Sequence, residues 1–420
     1  MSLFIFPRYY VLQELLKKHK TKQNLDNYFI ISVQHLLRIT GSLFETIIKY
    51  GFKPEHIFLT GKIYSTHPGT SNKLKDIGIN IIDSSIPDKL GYYTSFIEKD
   101  VRHMWNELMK VLTPSAKIII LDDGGFVLKN VPDEVSTNYK VFGIEQTTSG
   151  VRIQKSFKNL PVIHVATSAA KRIIEPPIVS EAVKIQLGKN IKKLNPKSIG
   201  IIGYGHVGKA IAHEFQNQCR ILVYDSNKES INGIKENVHP CETKDELYLQ
   251  SDVIIGATGH DVSDLKWLKE SNTNKTLISV SSGDIEFNKI LRNCRTQLVD
   301  KLESPLQDLR IITRNGYILQ ILRGGLVANF TGKPDSSPGP VIQMTRGLLF
   351  AAVIQLIEEY EKLDKSLGPI ILNPILQDEV VDLWFKQRPE RKSNYSNEIQ
   401  MGFNNCTWIL LNSIGSQYTL

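Results

Sequence analysis

The sequence predicts an α/β chain built from two parallel-sheet domains, and three observations carry that prediction. Short apolar runs alternate with amphipathic stretches from residue 28 to residue 322. At 420 residues, with 41% of them hydrophobic, the chain exceeds one comfortable core and has apolar content for two. The stretch Lys197 to Asp225, KSIGIIGYGHVGKAIAHEFQNQCRILVYD, reads as strand, glycine turn, helix, strand and acid.

In the first domain the predicted strands are Tyr28 to Val33, His56 to Leu59, Ile79 to Ile82, Lys117 to Leu121, Lys140 to Ile144 and Val162 to Val165. Helical patterns such as Leu43 to Tyr50 and Tyr93 to Leu112 separate them. A connecting helix is expected from Ile178 to Leu187, and the glycine stretch then opens the second domain. Its strands are Ile199 to Ile202, Ile221 to Tyr224, Val253 to Ile255, Thr276 to Val280, Thr296 to Val299 and Tyr317 to Leu322. The proline and glycine break Gly332 to Pro340 precedes a long apolar helix, Val341 to Glu359. Two helices therefore bracket the second domain, and a hinge is expected there.

The turn Gly203-Tyr204-Gly205-His206-Val207-Gly208 answers geometric demands: one glycine for the tight turn, one for approach of backbone to a pyrophosphate, one for close packing of helix on strand. Amides at the helix start, from His206 and Val207 onward, would face the phosphates. A carboxylate at the tip of the second strand, Asp225, pairs with a ribose 2′-hydroxyl and repels a 2′-phosphate, which favours NAD over NADP despite the nearby Lys228. The domain is thus read as a Rossmann-like NAD site.

Lysine and arginine exceed aspartate and glutamate by eight, but they are scattered, with no aromatic-studded basic stripe, so no nucleic-acid partner is expected. Cys219, Cys241, Cys294 and Cys406 are far apart and form no CxxC pair. Neither a disulfide framework nor a metal site is indicated, which suits a cytoplasmic location. Pro7 interrupts the apolar part of the N-terminus, which does not read as a signal peptide. The longest apolar segment, Gly347 to Ile357, falls short of the roughly 20 residues of a membrane span, so no membrane partner is expected.

Ligands of α/β sheets bind beyond the carboxyl ends of strands, so polar residues just after the apolar runs are the candidates. They are His35, Asp123 in the LDDGG turn, Thr147, Thr148 and Ser149 in GIEQTTSGV, and the i,i+4 pair Lys171 and Glu175. Thr258 and Ser281 follow the later strands, and Asn329 follows the last. Singly, each is an ordinary cap, turn or surface charge.

In order, LDDGG, GIEQTTSGV, PVIHVATSAAK and GYGHVGK with its following carboxylate resemble the S-adenosylhomocysteine hydrolase (adenosylhomocysteinase) family, from about His35 to about Gln355. The resemblance implies a substrate domain in two segments, 1–177 and 341–420, with the NAD-binding Rossmann domain, 178–340, inserted between them. It implies a retained NAD that transiently oxidises a sugar hydroxyl of a nucleoside-like small molecule, followed by elimination or hydrolysis. By motif, His35 and Asp123 match the acid/base pair, Lys171 the lysine beside the oxidised hydroxyl, and Glu175 its acidic partner. Thr147, Thr148 and Ser149 match the hydroxyl row at the nicotinamide end, and Asn329 an asparagine near the carboxamide. A homo-oligomer is a further family property.

The departures are Gln146 for a ribose-binding glutamate, Pro176 for an asparagine, Ser282 and Ser337 for two histidines, and apolar Leu37 and Ile39 where adenine is recognised. The C-terminus GSQYTL lacks a Lys and Tyr tail. Two alternatives stay open: an NAD-binding regulatory or interaction module without turnover, and a simple NAD-dependent dehydrogenase. A 2-hydroxy acid dehydrogenase would want an Arg, an acid and a His after the later strands, and Val280 to Asp284 supplies only the acid. His260 follows a strand, but with no arginine near it in sequence it reads as a loop residue.

Overall fold

The structure is a computed structural model that describes residues 5–388 apart from 88, 154–158, 233, 235–236, 295–296, 331 and 364–367, and omits the side chains of 180, 184 and 186–193. Cys406 and the GSQYTL terminus lie outside the described residues.

The first sheet is built from β1 (Tyr28–Gln34), β2 (Ile57–Gly61), β3 (Asn80–Ile82), β4 (Lys117–Asp122), β5 (Lys140–Glu145) and β6 (Pro161–His164). The second holds β7 (Ser198–Ile202), β8 (Arg220–Tyr224), β9 (Val238–Pro240), β10 (Val253–Gly256), β11 (Lys275–Ser279), β12 (Leu309–Ile312) and β13 (Ile318–Ile321). The chain then returns, and β14 (Gly368–Ile371) pairs parallel with β6. The orders are β3-β2-β1-β4-β5-β6-β14 and β9-β8-β7-β10-β11-β13-β12. Each sheet thus winds outward in both directions from its first strand, in the manner of doubly wound nucleotide-binding folds. All pairings are parallel except β12 with β13.

Strands covered by helices on both faces must be apolar throughout, and β1, β2, β7 and β11 are buried along their whole length. The helix Gly339–Glu358 is apolar on all sides because it is enclosed. Its 20 residues are long enough to cross a bilayer, beyond the sequence estimate, yet 89% of its apolar window is buried within the fold. It packs on the helices Tyr10–Lys18, Arg38–Tyr50 and Pro374–Lys386. Val11 N donates to Gln343 Oε1 at 3.0 Å and Trp384 Nε1 to Val341 O at 2.9 Å, which pins both neighbours to it.

Some elements differ from the sequence reading. No strand forms in the described part of 296–299: Leu298 makes one antiparallel bridge to Ile311, and the edge position is taken by β12, whose alternating burial hid it. Thr296 itself lies outside the described residues. The connecting helix extends over Ala169–Leu194 and runs through Pro176 and Pro177.

The two sheets face each other through specific contacts. Asp284 accepts from Tyr93 N at 3.1 Å, and Asn288 and Arg292 donate to Gly91 O at 2.8 and 3.0 Å. Arg152 donates to Thr258 O at 2.7 Å and sits 3.4 Å from His260 Nε2. His260 therefore does have an arginine beside it, brought from the first sheet's side of the molecule. Neither residue lines the cavity described next.

Candidate active site

Between the carboxyl ends of the two sheets lies a cavity of about 250 Å³. His35 follows β1, Asp123 follows β4, Gln146, Thr147 and Thr148 follow β5, and Lys171 and Glu175 stand on the first turns of the helix after β6; all line it. Val207 of the glycine turn, Val280, Ser282 and Asn329 line it from the other side. Ser149 does not: its hydroxyl donates to Thr147 Oγ1 at 3.1 Å, while Thr147 Oγ1 caps Gly150 N at 3.0 Å.

Asp123 is the hub. Its Oδ1 accepts from Lys62, and its Oδ2 accepts from Gln146 and lies 3.2 Å from His35 Nε2. Burial opposes ionisation of Asp123, but the adjoining Lys62 ammonium outweighs it and holds the carboxyl well below the usual carboxylate range. Burial alone would neutralise Lys62; the adjoining Asp123 carboxylate instead raises it above the ordinary lysine range. Burial drives His35 down to about 3 against the opposing pull of Asp123, so its imidazole is neutral. With Asp123 ionised, Nε2 carries the proton toward it and Nδ1 accepts from the Ser65 hydroxyl. The His35 ring stacks on Phe330 at 4.3 Å, which fixes its plane. Lys171 donates to Gln146 O and lies 3.3 Å from Glu175.

Sequence reasoning missed Lys62, Arg346 and Glu286. Lys62 is the first residue beyond β2, the position where a ligand-facing group is expected, but the predicted strand stopped at Leu59. Arg346 was detectable as the only charge within the apolar run 341–357. Glu286 is fully buried and accepts from Thr258 N (2.7 Å), Thr258 Oγ1 (2.9 Å), Gly259 N (2.7 Å) and Ser281 Oγ. It sets the loops after β10 and β11, so Thr258 and Ser281 spend their hydroxyl protons on it. Asp284, the acid noted by sequence, holds Tyr93 N outside the cavity lining.

A second buried group lies at the ends of β4, β5 and β6, where Asp122, Glu145 and His164 stand side by side in register. Asp122 Oδ1, Glu145 Oε2 and His164 Nε2 have no hydrogen-bond partner. Burial raises Asp122 to about 7, partly offset by the amides of Leu128 and Val127, and raises Glu145 well above its ordinary value. A carboxyl protonated in the fold adds stability that is complete below its unfolded value near 4 and is lost as pH rises through about 7. His35 and His164, depressed to about 3 and about 4, act oppositely below pH 6.5. The contribution of Asp122 is isolated by difference: Asp122→Asn should gain in melting temperature relative to the parent as pH rises from 5 to 8. A difference independent of pH would exclude a protonated Asp122.

The glycine turn fits a dinucleotide. Gly203 has φ +99°, and a Cβ there would meet Ala257 O at 2.7 Å; a Cβ on Gly208 would meet Gly203 O at 1.9 Å. A Cβ on Gly205 would meet nothing within 4 Å, which leaves open space at the start of the helix His206–Phe215 for a pyrophosphate. Burial, then Arg172 and Lys209, lowers the His206 imidazole, so that residue adds no charge there. Asp225 follows β8 and accepts from Tyr204 N at 2.7 Å and Asn227 N at 2.8 Å, which aims its carboxylate across the turn. Asn329 Oδ1 is buried without a partner and faces the cavity, a ready acceptor for a carboxamide N–H. Among the described residues no group of His, Cys, Asp and Glu side chains could hold a metal ion.

Known proteins agree with this cofactor. Residues 166–283 match the family model of the D-isomer specific 2-hydroxyacid dehydrogenase NAD binding domain. Two uncharacterized proteins of Mycobacterium tuberculosis, MT0113 and Rv0104, are each 30% identical over 342 residues, which is 79% of this chain and 64% of theirs. The chain thus spans under two thirds of their length. An adenosylhomocysteinase of Sulfolobus acidocaldarius is 24% identical over 382 residues, 88% of this chain and 86% of its own. The crystal structure of CmnK overlaps 24% of this chain and 34% of its own, with 13% identity and a TM-score of 0.21, too partial an overlap to bear on the fold. The chain carries an NAD-binding domain of the dehydrogenase type, and NAD is its cofactor.

Proposed function

We propose that the protein is an NAD-dependent enzyme that transiently oxidises a hydroxyl of a nucleoside- or sugar-like substrate and uses the activated carbon beside it for elimination or hydrolysis. One observation carries the reading: His35, Asp123, Lys171 and Glu175, drawn from three different strand ends, converge on the cavity that the glycine turn also borders. The similarity to an adenosylhomocysteinase supports the same chemistry.

Bound NAD supplies the hydride acceptor. Lys171 Nζ, 3.3 Å from Glu175, lines the cavity where it can hold the hydroxyl to be oxidised, and this pair is the group placed to receive the hydroxyl proton. Ionised Asp123 and neutral His35 share one proton along Nε2···Oδ2, so the pair can accept a proton from carbon and return one to a leaving group. Arg38 ties down the loop that brings Ser336 and Ser337 to the cavity, donating Nε to Asp335 at 2.8 Å and its backbone N to Pro334 O at 2.9 Å.

Lys171→Met should retain bound NAD but reduce it roughly 10²- to 10⁴-fold more slowly with an accepted substrate, followed at 340 nm in a single turnover. Protein that holds no NAD, or a variant as fast as the parent, would sink the proposal. A second reading, an NAD-binding module without turnover, draws on the fact that both oxygens of Asp123 are already engaged. It predicts no reduction of bound NAD with any substrate. A simple dehydrogenase would instead release NADH at every turnover.

A further inference from the structure

Resting on the reading of this cavity as a substrate pocket, we infer that the substrate carries one negative charge, a carboxylate close to its reactive hydroxyl, and that Arg346 receives it. Arg346 projects from the enclosed helix Gly339–Glu358, is 7% exposed, and lines the cavity. Its hydrogen-bond partners are neutral: one terminal nitrogen lies 3.2 Å from Gln34 Oε1 and 3.5 Å from Gln146 Oε1, while the carboxylates of Asp123 and Glu175 act on it only at longer range. Its Nε is buried without any partner. Among the described residues no carboxylate lies within ion-pairing distance.

The charges around the cavity do not cancel. Lys62 is matched by Asp123 and Lys171 by Glu175, and His35 is neutral. Arg346 is the remainder. A buried, unpaired guanidinium is strongly unfavourable unless an anion completes it, and its planar fork suits a carboxylate. One uncompensated charge calls for a monoanion rather than a phosphate dianion.

Its place narrows the class further. Gln146 touches Arg346 through Oε1 and Asp123 through Nε2, while its carbonyl accepts from Lys171. The anion therefore sits at the same end of the cavity as the hydroxyl chemistry. Elsewhere Leu37, Ile39, Ile342 and Leu349 form an apolar wall. The fit is to a sugar-acid-like monocarboxylate, free or joined to an apolar or aromatic group lying on that wall.

The test uses NAD-loaded protein and calorimetric titration with matched probes: D-glucuronate against D-glucose, adenosine 5′-carboxylate against adenosine, and D-glucose 6-phosphate as the dianion. In at least one pair the carboxylate should bind roughly ten- to hundred-fold more tightly. That preference should vanish in Arg346→Met and return in part in Arg346→Lys. Arg346→Met should also melt at a higher temperature without ligand, because an unpaired charge leaves the core; a structural arginine would give a lower one. No carboxylate preference in either pair, a preference that survives in Arg346→Met, or a preference for the phosphate overturns the inference. A carboxylate preference without absorbance change at 340 nm would leave it standing and remove the proposed reaction instead.

Discussion

Asp123→Asn is expected to lower stability by about 3–5 kcal/mol and to abolish turnover, the larger part of the stability loss coming from Lys62 rather than from Asp123 itself. Both side chains are fully enclosed, Lys62 at 0% and Asp123 at 1% exposure, and the described ion pair of Lys62 is to Asp123. An amide keeps the shape and one acceptor but removes the charge that makes a buried ammonium tolerable. Lys62→Met with Asp123→Asn removes both charges and should recover most of the lost stability, because an apolar chain of similar length then fills the hole. Turnover should stay absent in the double variant, since His35 has lost the anion that orients its Nε2 proton. Chemical denaturation of the three variants checks the ordering. A single variant as stable as its parent, or a double variant no better than the single, would contradict an ion pair held by mutual need.

That hub also shows what the sequence could and could not reveal. The cavity residues His35, Asp123, Lys171 and Glu175 were legible because parallel strands deliver their next residue to one edge of the sheet. The same rule applies to Lys62, yet Thr60 and Gly61 broke the apolar pattern of β2 and left Lys62 looking like loop. Arg346 was obscured by its setting: an apolar helix reads as core, and a single cation within it reads as a snorkelling surface group until the helix is seen to be enclosed on every side. Gln146 looked like a weakened ligand by its identity alone. In the structure it is a connector, bonded to Asp123 and touching Arg346 and Lys171.

The parts of the fold that escaped the sequence share a physical cause. β12 alternates buried with exposed residues and β14 half-buried with exposed ones, each over only four positions at a sheet edge, too short to show a period. β14 is the more consequential, because its pairing with β6 ties residues after the enclosed helix back to the first sheet. Tertiary pairing decided it. The helix Ala169–Leu194 goes the other way: two prolines argue for a break, and the helix continues through them into the second sheet's domain.

Gly205→Ala and Gly208→Ala should separate the cofactor cradle from the turn that builds it. At Gly205 the backbone is extended (φ −74°, ψ −162°), a conformation alanine adopts freely, and the added Cβ meets nothing within 4 Å. Stability without NAD should therefore stay within about 0.5 kcal/mol of the parent. The methyl would stand where a pyrophosphate must approach the helix start, so NAD affinity should fall by about 1–3 kcal/mol, roughly 5- to 150-fold. At Gly208 the methyl would lie 1.9 Å from Gly203 O, inside the turn itself. The turn must open to admit it, so this variant should lose about 1–3 kcal/mol of stability before any cofactor is added, and should bind NAD weakly as well. Thermal unfolding with and without NAD distinguishes the two. Should Gly205→Ala bind NAD as tightly as the parent, the pyrophosphate does not lie across that turn, and the hydride acceptor would have to reach the cavity beside Val207 by another route.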